Sequence, residues 1–585
     1  MPKIEVNEEV FYALAGSTDG KSRWKTREEF EEALTCAKAE LDEDSDKSLP
    51  VSERILKIEL NDTNRPDLWG TAGCARQLNI YNGGGIPSYP FFSSPGKLQK
   101  TTYRVLVEKS VKQVRPFLVG FVASGKAVSD PMLRDMIQTQ EKLAWNFGRK
   151  RRTISMGLYR TAVIKWPIIY KAVDPDSVSF VPLQWETPLS LRDILKYHPK
   201  GKEYAFIQEH EPLHPLLTDS TGAVLSYPPI INSADLGAVQ VGDRDLFVEL
   251  TGTDQASVTL AASIVACDLA DNGFTIEPVE IAYEYETSFG KTCVTPYYFQ
   301  EPVFCSLARV EKFLGEKMDQ GQCTAALARM GVRAEKARSA ERESAEETDG
   351  VLAFPPEYRN DFLHAADVME DIMTGRGLST FKPVRPRDFT VGRLTPITLF
   401  SRRVKGVMAG LGYQEMIYNY LGSWKDLVEN MRGNGEHIIR ISNPMTENYE
   451  YVRDSVLASL LASESVSGHA AYPHRIFETG KIVRRSVSEN YGTLTRQYLG
   501  FLHADRDTGF NAAAGQLQTL FYYLSREYET EESGDSRFIP GRAAAVIFRG
   551  KPAGVFGEIH PGILENWGIT VPCAAGEIDL DALIE

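Results

Sequence analysis

The spacing of apolar positions changes several times along the chain, and each change marks an element. KIEV near the start and ILKIEL at 55–60 alternate apolar with polar or charged residues, the period of a strand with one buried face. Between them, REEFEEALTCAKAELDE predicts a charged helix, with Thr26 as its N-cap two residues ahead of paired glutamates. Asn61 to Pro66 read as a turn that closes the second strand, and Pro66 stands at or just before the first turn of another helix. These elements predict a small α+β domain over residues 1–90, bounded by the Gly/Pro/Ser-rich NGGGIPSYPFFSSPG. Over 103–281 strands prevail: YRVLVEK, FLVGFVAS, YAFIQ, VLSYPPIINSADLGAV and RDLFVELTGTD. Helices are predicted at DPMLRDMIQTQEKLAWNFGRKR and at SVTLAASIVACDLADNG, the latter stopped by Asn272-Gly273. This is the pattern of one α/β domain.

Residues 297–375 carry two short helices, SLARVEKFLGEKM and GQCTAALARMGV. The charged low-complexity run EKARSAERESAEETDG follows as a mobile surface loop, then a strand, VLAFPPEYR, and an acidic helix. Residues 382–585 open with a helix, TLFSRRVKGVMAGLGY, and end on GVFGEIHPGILENWGI and GEIDLDALI, with strands suited to an antiparallel sheet. The chain reads as a multidomain α+β protein.

Composition adds limits. At 43% hydrophobic and 25% charged, 585 residues can bury several cores. A net charge of -14, from 65 basic and 79 acidic residues, argues against general nucleic-acid binding by counterion release. Contact with RNA falls to local patches, of which Arg149-Lys150-Arg151-Arg152 is the strongest, or to a partner. Seven scattered cysteines with no C-x-x-C pair argue against a disulfide framework and a cysteine zinc site. MPKIEVNEEV lacks the apolar run of a secretory signal and no run is long enough to span a bilayer, so a cytoplasmic protein is expected.

The densest chemistry lies in PPEYRNDFLHAADVMEDI. Asp367, Glu370 and Asp371, at i, i+3 and i+4, share one helix face, with Asp361 near the helix start. Carboxylates at this density repel one another and suit a hard cation such as magnesium; spacing alone also fits a solvated acidic face. The GKT at Gly290–Thr292 is no phosphate loop, because Tyr285 stands where a glycine is required. Pro212 and Pro215 keep His210 and His214 off a common helix, so no zinc site is expected.

The run P-P-x-x-R-x-D-(x5)-D-x-x-E-D resembles the magnesium-associated domain of phenylalanyl-tRNA synthetase beta chains of the archaeal and eukaryotic-like branch. MPKIEVNEEVFYALAG, NDTNRPDLWG, LSYPPIINSADLG, FVELTGTD, NPMTENYEYVRDSVLASLL and RIFETGKI resemble further stations of that chain in the same order. The resemblance implies that Asp361, Asp367, Glu370 and Asp371 bind Mg2+. It also implies that 103–281 is a proofreading domain in which Leu217, Ser226, Glu249 and Thr251 act on tyrosyl-tRNA, with Asn232 nearby. The need is physical: an apolar pocket cannot strongly reject a substrate that only adds a hydroxyl. Glu249 departs from the family pattern, where aspartate is expected. Residues 382–585 resemble a class II synthetase core without ATP-holding arginines: none closes the Gly554, Gly557, Gly562 region, and Arg475 is poorly placed before Glu478. The resemblance therefore implies a partner alpha subunit that binds ATP, a two-alpha, two-beta heterotetramer, and phenylalanine tRNA as substrate. A free-standing editing hydrolase and a non-enzymatic RNA-binding scaffold are the rival readings.

Overall fold

The computed structural model describes residues 2–17, 22–61, 64–340 and 347–584, and the chain divides into two compact units, Met1–Val384 and Arg385–Glu585. In the first, the alternation of KIEV and ILKIEL becomes antiparallel pairing of Lys3–Asn7 with Ile55–Leu60, and Ala39–Glu43 joins on the other side. Ile4, Val6, Leu56, Ile58 and Leu60 are buried on one face, as a period of two requires. Thr26 caps helix Arg27–Leu34, its hydroxyl accepting from the Glu29 amide at 3.2 Å. That helix is shorter than predicted: a 3-10 turn follows, Lys38 takes φ +51°, and Ala39–Glu43 is a strand. Ala39 and Leu41 alternate with Glu40 and Asp42, so the segment also satisfies a strand period, and burial on the sheet decides between the two. The turn predicted over Asn61 to Pro66 includes Asp62 and Thr63, which lie outside the described residues; Pro66 opens a 3-10 turn ahead of helix Thr71–Asn79. The Gly/Pro-rich stretch separates no core. One apolar cluster runs from Ile4, Phe11 and Leu78 through Phe121, Leu250 and Leu260 to Tyr358.

A ten-stranded mixed sheet follows. Its path runs Ile231–Asn232, Val224–Tyr227, His214–Thr218, Ile168–Val173 and Tyr103–Val107, then Thr275–Tyr283, Phe117–Ser124, Leu246–Gly252 and Ile154–Arg160. Thr292–Thr295 pairs off this path beside Thr275–Tyr283. Tyr103–Val107 is parallel to both neighbours; the other pairs are antiparallel. Helix Gln255–Asp271, apolar nearly all round, packs with Val248 and Leu250, while Phe247 packs with Leu217 and Tyr159 in a separate cluster on the other face. YAFIQ, expected as a strand, is the 3-10 turn Ala205–Ile207 that ends helix Pro199–Tyr204; five residues are too few for a period to separate the two.

The charged run expected as a mobile loop is mostly hairpin. Arg333–Ala340 pairs along its length with Glu347–Phe354, which pairs in turn with Val303–Ser306; residues 341–346 lie outside the described residues. Arg333–Ala340 is a charged edge strand, held by pairing and not by burial, which is why its composition reads as loop. Helices Leu307–Leu314, Gln320–Arg329 and Ala365–Arg376 share an apolar core with this sheet.

The second unit is built on a seven-stranded sheet in the order Gln414–Glu415, His474–Arg485, Thr493–Ala504, Cys573–Asp579, Lys551–Ile559, Phe538–Phe548 and Glu529–Glu532. Only the first pair is parallel. Helices Pro396–Gly410 and Phe510–Leu524 close one apolar core on it, and Leu457–Ser465 with Pro561–Trp567 close another.

Candidate functional site

The strand LFVELTG is buried throughout and sends Phe247, Glu249 and Thr251 to one face. Glycines stand opposite Glu249 in both neighbouring strands, Gly120 and Gly157. A Cβ at Gly157 would overlap the Tyr159 hydroxyl and Glu249 Oε2, so the glycine makes room for the carboxylate. Tyr159 donates to Glu249 Oε2 at 2.9 Å and shares a 2.8 Å hydrogen bond with Ser226 Oγ. Glu249 is 2% exposed, and burial pushes its carboxyl up to about 7 although Tyr159 and Arg115 pull it down. Its Oε1 is buried without a hydrogen-bond partner.

That carboxylate lines a cavity of about 430 Å³ with Ser226, Tyr159, Asn232, Met156 and the Pro228–Ile230 turn. A buried acceptor left open toward a cavity is a group waiting for a donor. Behind it, Arg115 is 1% exposed and donates to Thr251 Oγ1 at 2.9 Å, Ser155 Oγ at 3.1 Å and the Thr251 carbonyl at 2.6 Å. Burial lowers this guanidinium to about 10.

The structure thus brings Ser226, Glu249 and Asn232 to the cavity. Two expected residues sit elsewhere. Leu217, expected as an apolar wall, is fully buried in register opposite Ser226, in the apolar cluster of Phe247 and Tyr159, and does not line the cavity. Thr251 is likewise a layer behind, held by Arg115 and Ser155. Tyr159, Gly157 and Arg115 escaped the sequence reading; a glycine between buried apolar residues in ISMGLY was the available signal.

The acidic helix does not arrange its four carboxylates around one point. Asp361 and Asp371 both grip Arg359, itself 2% exposed, at 2.5 and 2.6 Å. Burial would raise Asp361, but the Arg359 guanidinium overrides it and holds this carboxyl at about 2. Asp367 Oδ2 accepts from the amides of Leu363 and His364, both at 2.7 Å, and Glu370 pairs with Lys38 at 2.5 Å. Among the described residues no group of three or more His, Cys, Asp or Glu is placed to hold a metal. The helix puts Asp367, Glu370 and Asp371 at the expected spacing, but the sequence reading gave Arg359, the arginine of the motif, no role, and its buried guanidinium supplies the charge expected from magnesium. In this chain alone the donor set does not fit a resident magnesium ion.

In the second unit, Arg453 is 1% exposed and makes a two-pronged pair with Glu478 at 2.7 and 3.0 Å. A side chain at Gly480 would collide with both. Arg537 is committed to Glu577 at 2.8 Å and to Asp535 at 2.7 Å. Gly554 and Gly557 pack directly against strand backbone.

The comparisons give the class of a chain that has this cavity in one unit and these carboxylate-paired arginines in the other. Residues 303–378 match the tRNA synthetase B5 domain, and residues 383–580 match the phenylalanyl tRNA synthetase beta chain CLM domain. The phenylalanine–tRNA ligase beta subunit of Borrelia hermsii is 44% identical over 584 residues, and that of Treponema pallidum is 42% identical over 613, each covering 100% of both chains. A solved N-terminal fragment of the phenylalanyl-tRNA synthetase beta subunit from Pyrococcus horikoshii is 31% identical with a TM-score of 0.55, over 64% of this chain and 100% of the fragment. The chain belongs to the family of phenylalanine–tRNA ligase beta subunits.

Proposed function

We propose that this chain is the proofreading and assembly subunit of a phenylalanine–tRNA ligase that attaches L-phenylalanine to its tRNA with ATP. The nucleotide belongs to an alpha subunit, in an assembly of two alpha and two beta chains in the cytoplasm. Arg453 and Arg537 are each paired with carboxylates, which takes these two guanidinium groups out of reach of a triphosphate and supports a silent class II core. The archaeal and eukaryotic-like branch is part of the proposal: the archaeal fragment is matched over its whole length, although the relatives named above are bacterial.

One observation carries the editing reading: Glu249 Oε1, buried and unpartnered, in a cavity that also holds Ser226. A tyrosyl phenol donates a hydrogen bond to that oxygen. A phenylalanyl ring leaves it unpaired and desolvated, and a site built around such a bond discriminates strongly against the substrate that lacks it. Tyr159 and Ser226 hold the carboxylate in place; Thr251 acts from behind through Arg115. For the acidic helix, only Asp367 and Glu370 keep side chains partly open to solvent, so a magnesium ion there would draw further oxygen ligands from the alpha subunit. In the alpha–beta complex, Glu249→Ala should leave phenylalanine charging unchanged and slow the clearance of tyrosyl-tRNA. Clearance at the parent rate would refute the assignment.

A further inference from the structure

Next to the cavity lies an open groove of about 1480 Å³ that no step above uses. Arg149, Lys150 and Arg152 bring cations to it, and Trp145 and Phe206 offer ring faces, 46% and 40% exposed. The two kinds of group interleave: Lys150 Nζ stands 5.2 Å from the Trp145 ring centre, and the Arg152 guanidinium 4.9 Å from that of Phe206. In a chain of net charge -14 this is a local reversal of sign.

The turn that carries the cations is strained. Arg149, Lys150 and Arg151 stand in succession at φ +50°, +57° and +64°, where a Cβ is crowded. Such backbone persists where its surroundings over-determine it, and it gathers at ligand sites. Here the amides of Lys150 and Arg151 donate to the carbonyls of Trp145 and Ala144, both at 2.8 Å. Arg115 reaches from beneath to the carbonyls of Arg151 and Arg152 at 3.3 and 3.0 Å, while its other nitrogens hold Thr251 and Ser155. Arg151 in turn donates to the carbonyls of Pro229 and Ile230, at 3.2 and 3.1 Å, on the cavity wall. One buried guanidinium thus fixes the basic turn relative to the floor of the cavity. The two spaces are joined by a further groove, which shares Lys142 and Trp145 with the first and Arg151 and Lys200 with the cavity.

We propose that Trp145, Arg149, Lys150, Arg152 and Phe206 form a track for the unpaired 3′ end of a tRNA, rings stacking on bases and cations meeting phosphates. Single-stranded nucleic acid is held by this combination, and every base has a face to stack. The terminal aminoacyl-adenosine then passes Arg151 and Lys200 into the cavity. The proposal rests on the hydrolytic reading of that cavity.

The test uses the alpha–beta complex. Arg149→Asn with Lys150→Asn removes two charges and keeps residues that tolerate left-handed backbone; Trp145→Ala removes a ring. The ligand is an acceptor-stem minihelix with an unpaired CCA end, carrying tyrosine through an amide that cannot be hydrolysed. Its Kd, and KM for tyrosyl-tRNA hydrolysis, should rise about tenfold in each variant. The kcat and the hydrolysis of 3′-tyrosyl-adenosine should stay within about twofold. The paired asparagine variant should also flatten the log–log salt dependence of Kd by about 1.4, since each phosphate left without its cation takes about 0.7 from the slope. Kd and KM both unchanged would overturn the track. No tyrosyl-tRNA hydrolysis by the parent complex would instead refute the hydrolytic reading, and the minihelix Kd would still decide the track.

Discussion

Replacing Glu249 with glutamine tests the electrostatics of the cavity without changing its shape. Burial raises this carboxyl from 4.5 to about 7, so the folded chain resists ionising a group that the unfolded chain ionises freely. The sign follows. A raised folded-state value gives stability that is fully present below the unfolded value and is lost as pH rises toward 7. The displacement corresponds to about 3 kcal/mol at pH 8, of which little remains at pH 4. Glutamine keeps an acceptor for Tyr159 and never ionises, so Glu249→Gln should stabilise the strand Leu246–Gly252 by about 3 kcal/mol at pH 8 relative to the parent. Native-state hydrogen exchange reads this locally, and the amides of that strand should exchange about 100-fold more slowly in the variant at pH 8. Comparing the two proteins at one pH cancels the intrinsic pH dependence of exchange. Equal protection at pH 4 and pH 8, or a variant less protected at pH 8, would refute the claim that the carboxylate is held in a desolvated site.

Three further outcomes are expected. Gly157→Ala pushes a methyl group into the Tyr159 hydroxyl and Glu249 Oε2; it should destabilise by about 1–3 kcal/mol in urea unfolding and abolish tyrosyl-tRNA clearance before phenylalanine charging is touched. Arg359→Met leaves Asp361 and Asp371 buried and unpaired, at a cost of about 3–5 kcal/mol. Because Asp361 is held at about 2, the stability it gains from Arg359 is present above its unfolded value and fades as pH falls toward 2, so the gap between parent and variant should narrow over that window. Millimolar Mg2+ should leave the thermal midpoint of the isolated chain unchanged, and a saturable rise that Asp371→Asn removes would contradict the reading of Arg359 as the charge at this helix.

Strand and helix identity was legible wherever one face was buried. KIEV, ILKIEL and LFVELTG keep their period because a core enforces it, and the run SVTLAASIVACDLAD is a helix because it is apolar all round and long. Composition failed where pairing without burial made structure, as in the charged strand Arg333–Ala340, and where one segment satisfied two periods, as in Ala39–Glu43. At the site, residue types on one strand were readable: Glu249 and Thr251 share a face as spacing demands. What lies across strands was not. Tyr159 reaches Glu249 from 90 positions away and Arg115 reaches Thr251 from 136, and only the register of the sheet brings them together. The acidic helix shows the converse. Its spacing was right, and one arginine two residues from Asp361 changed what the carboxylates do.

The division of labour between chains is tested most directly by phenylalanine-dependent exchange of pyrophosphate into ATP. The chain alone should give no exchange, since Arg453 and Arg537 of its second unit are committed to Glu478, Glu577 and Asp535, and adding the alpha subunit should restore it. Exchange by the chain alone would contradict the account.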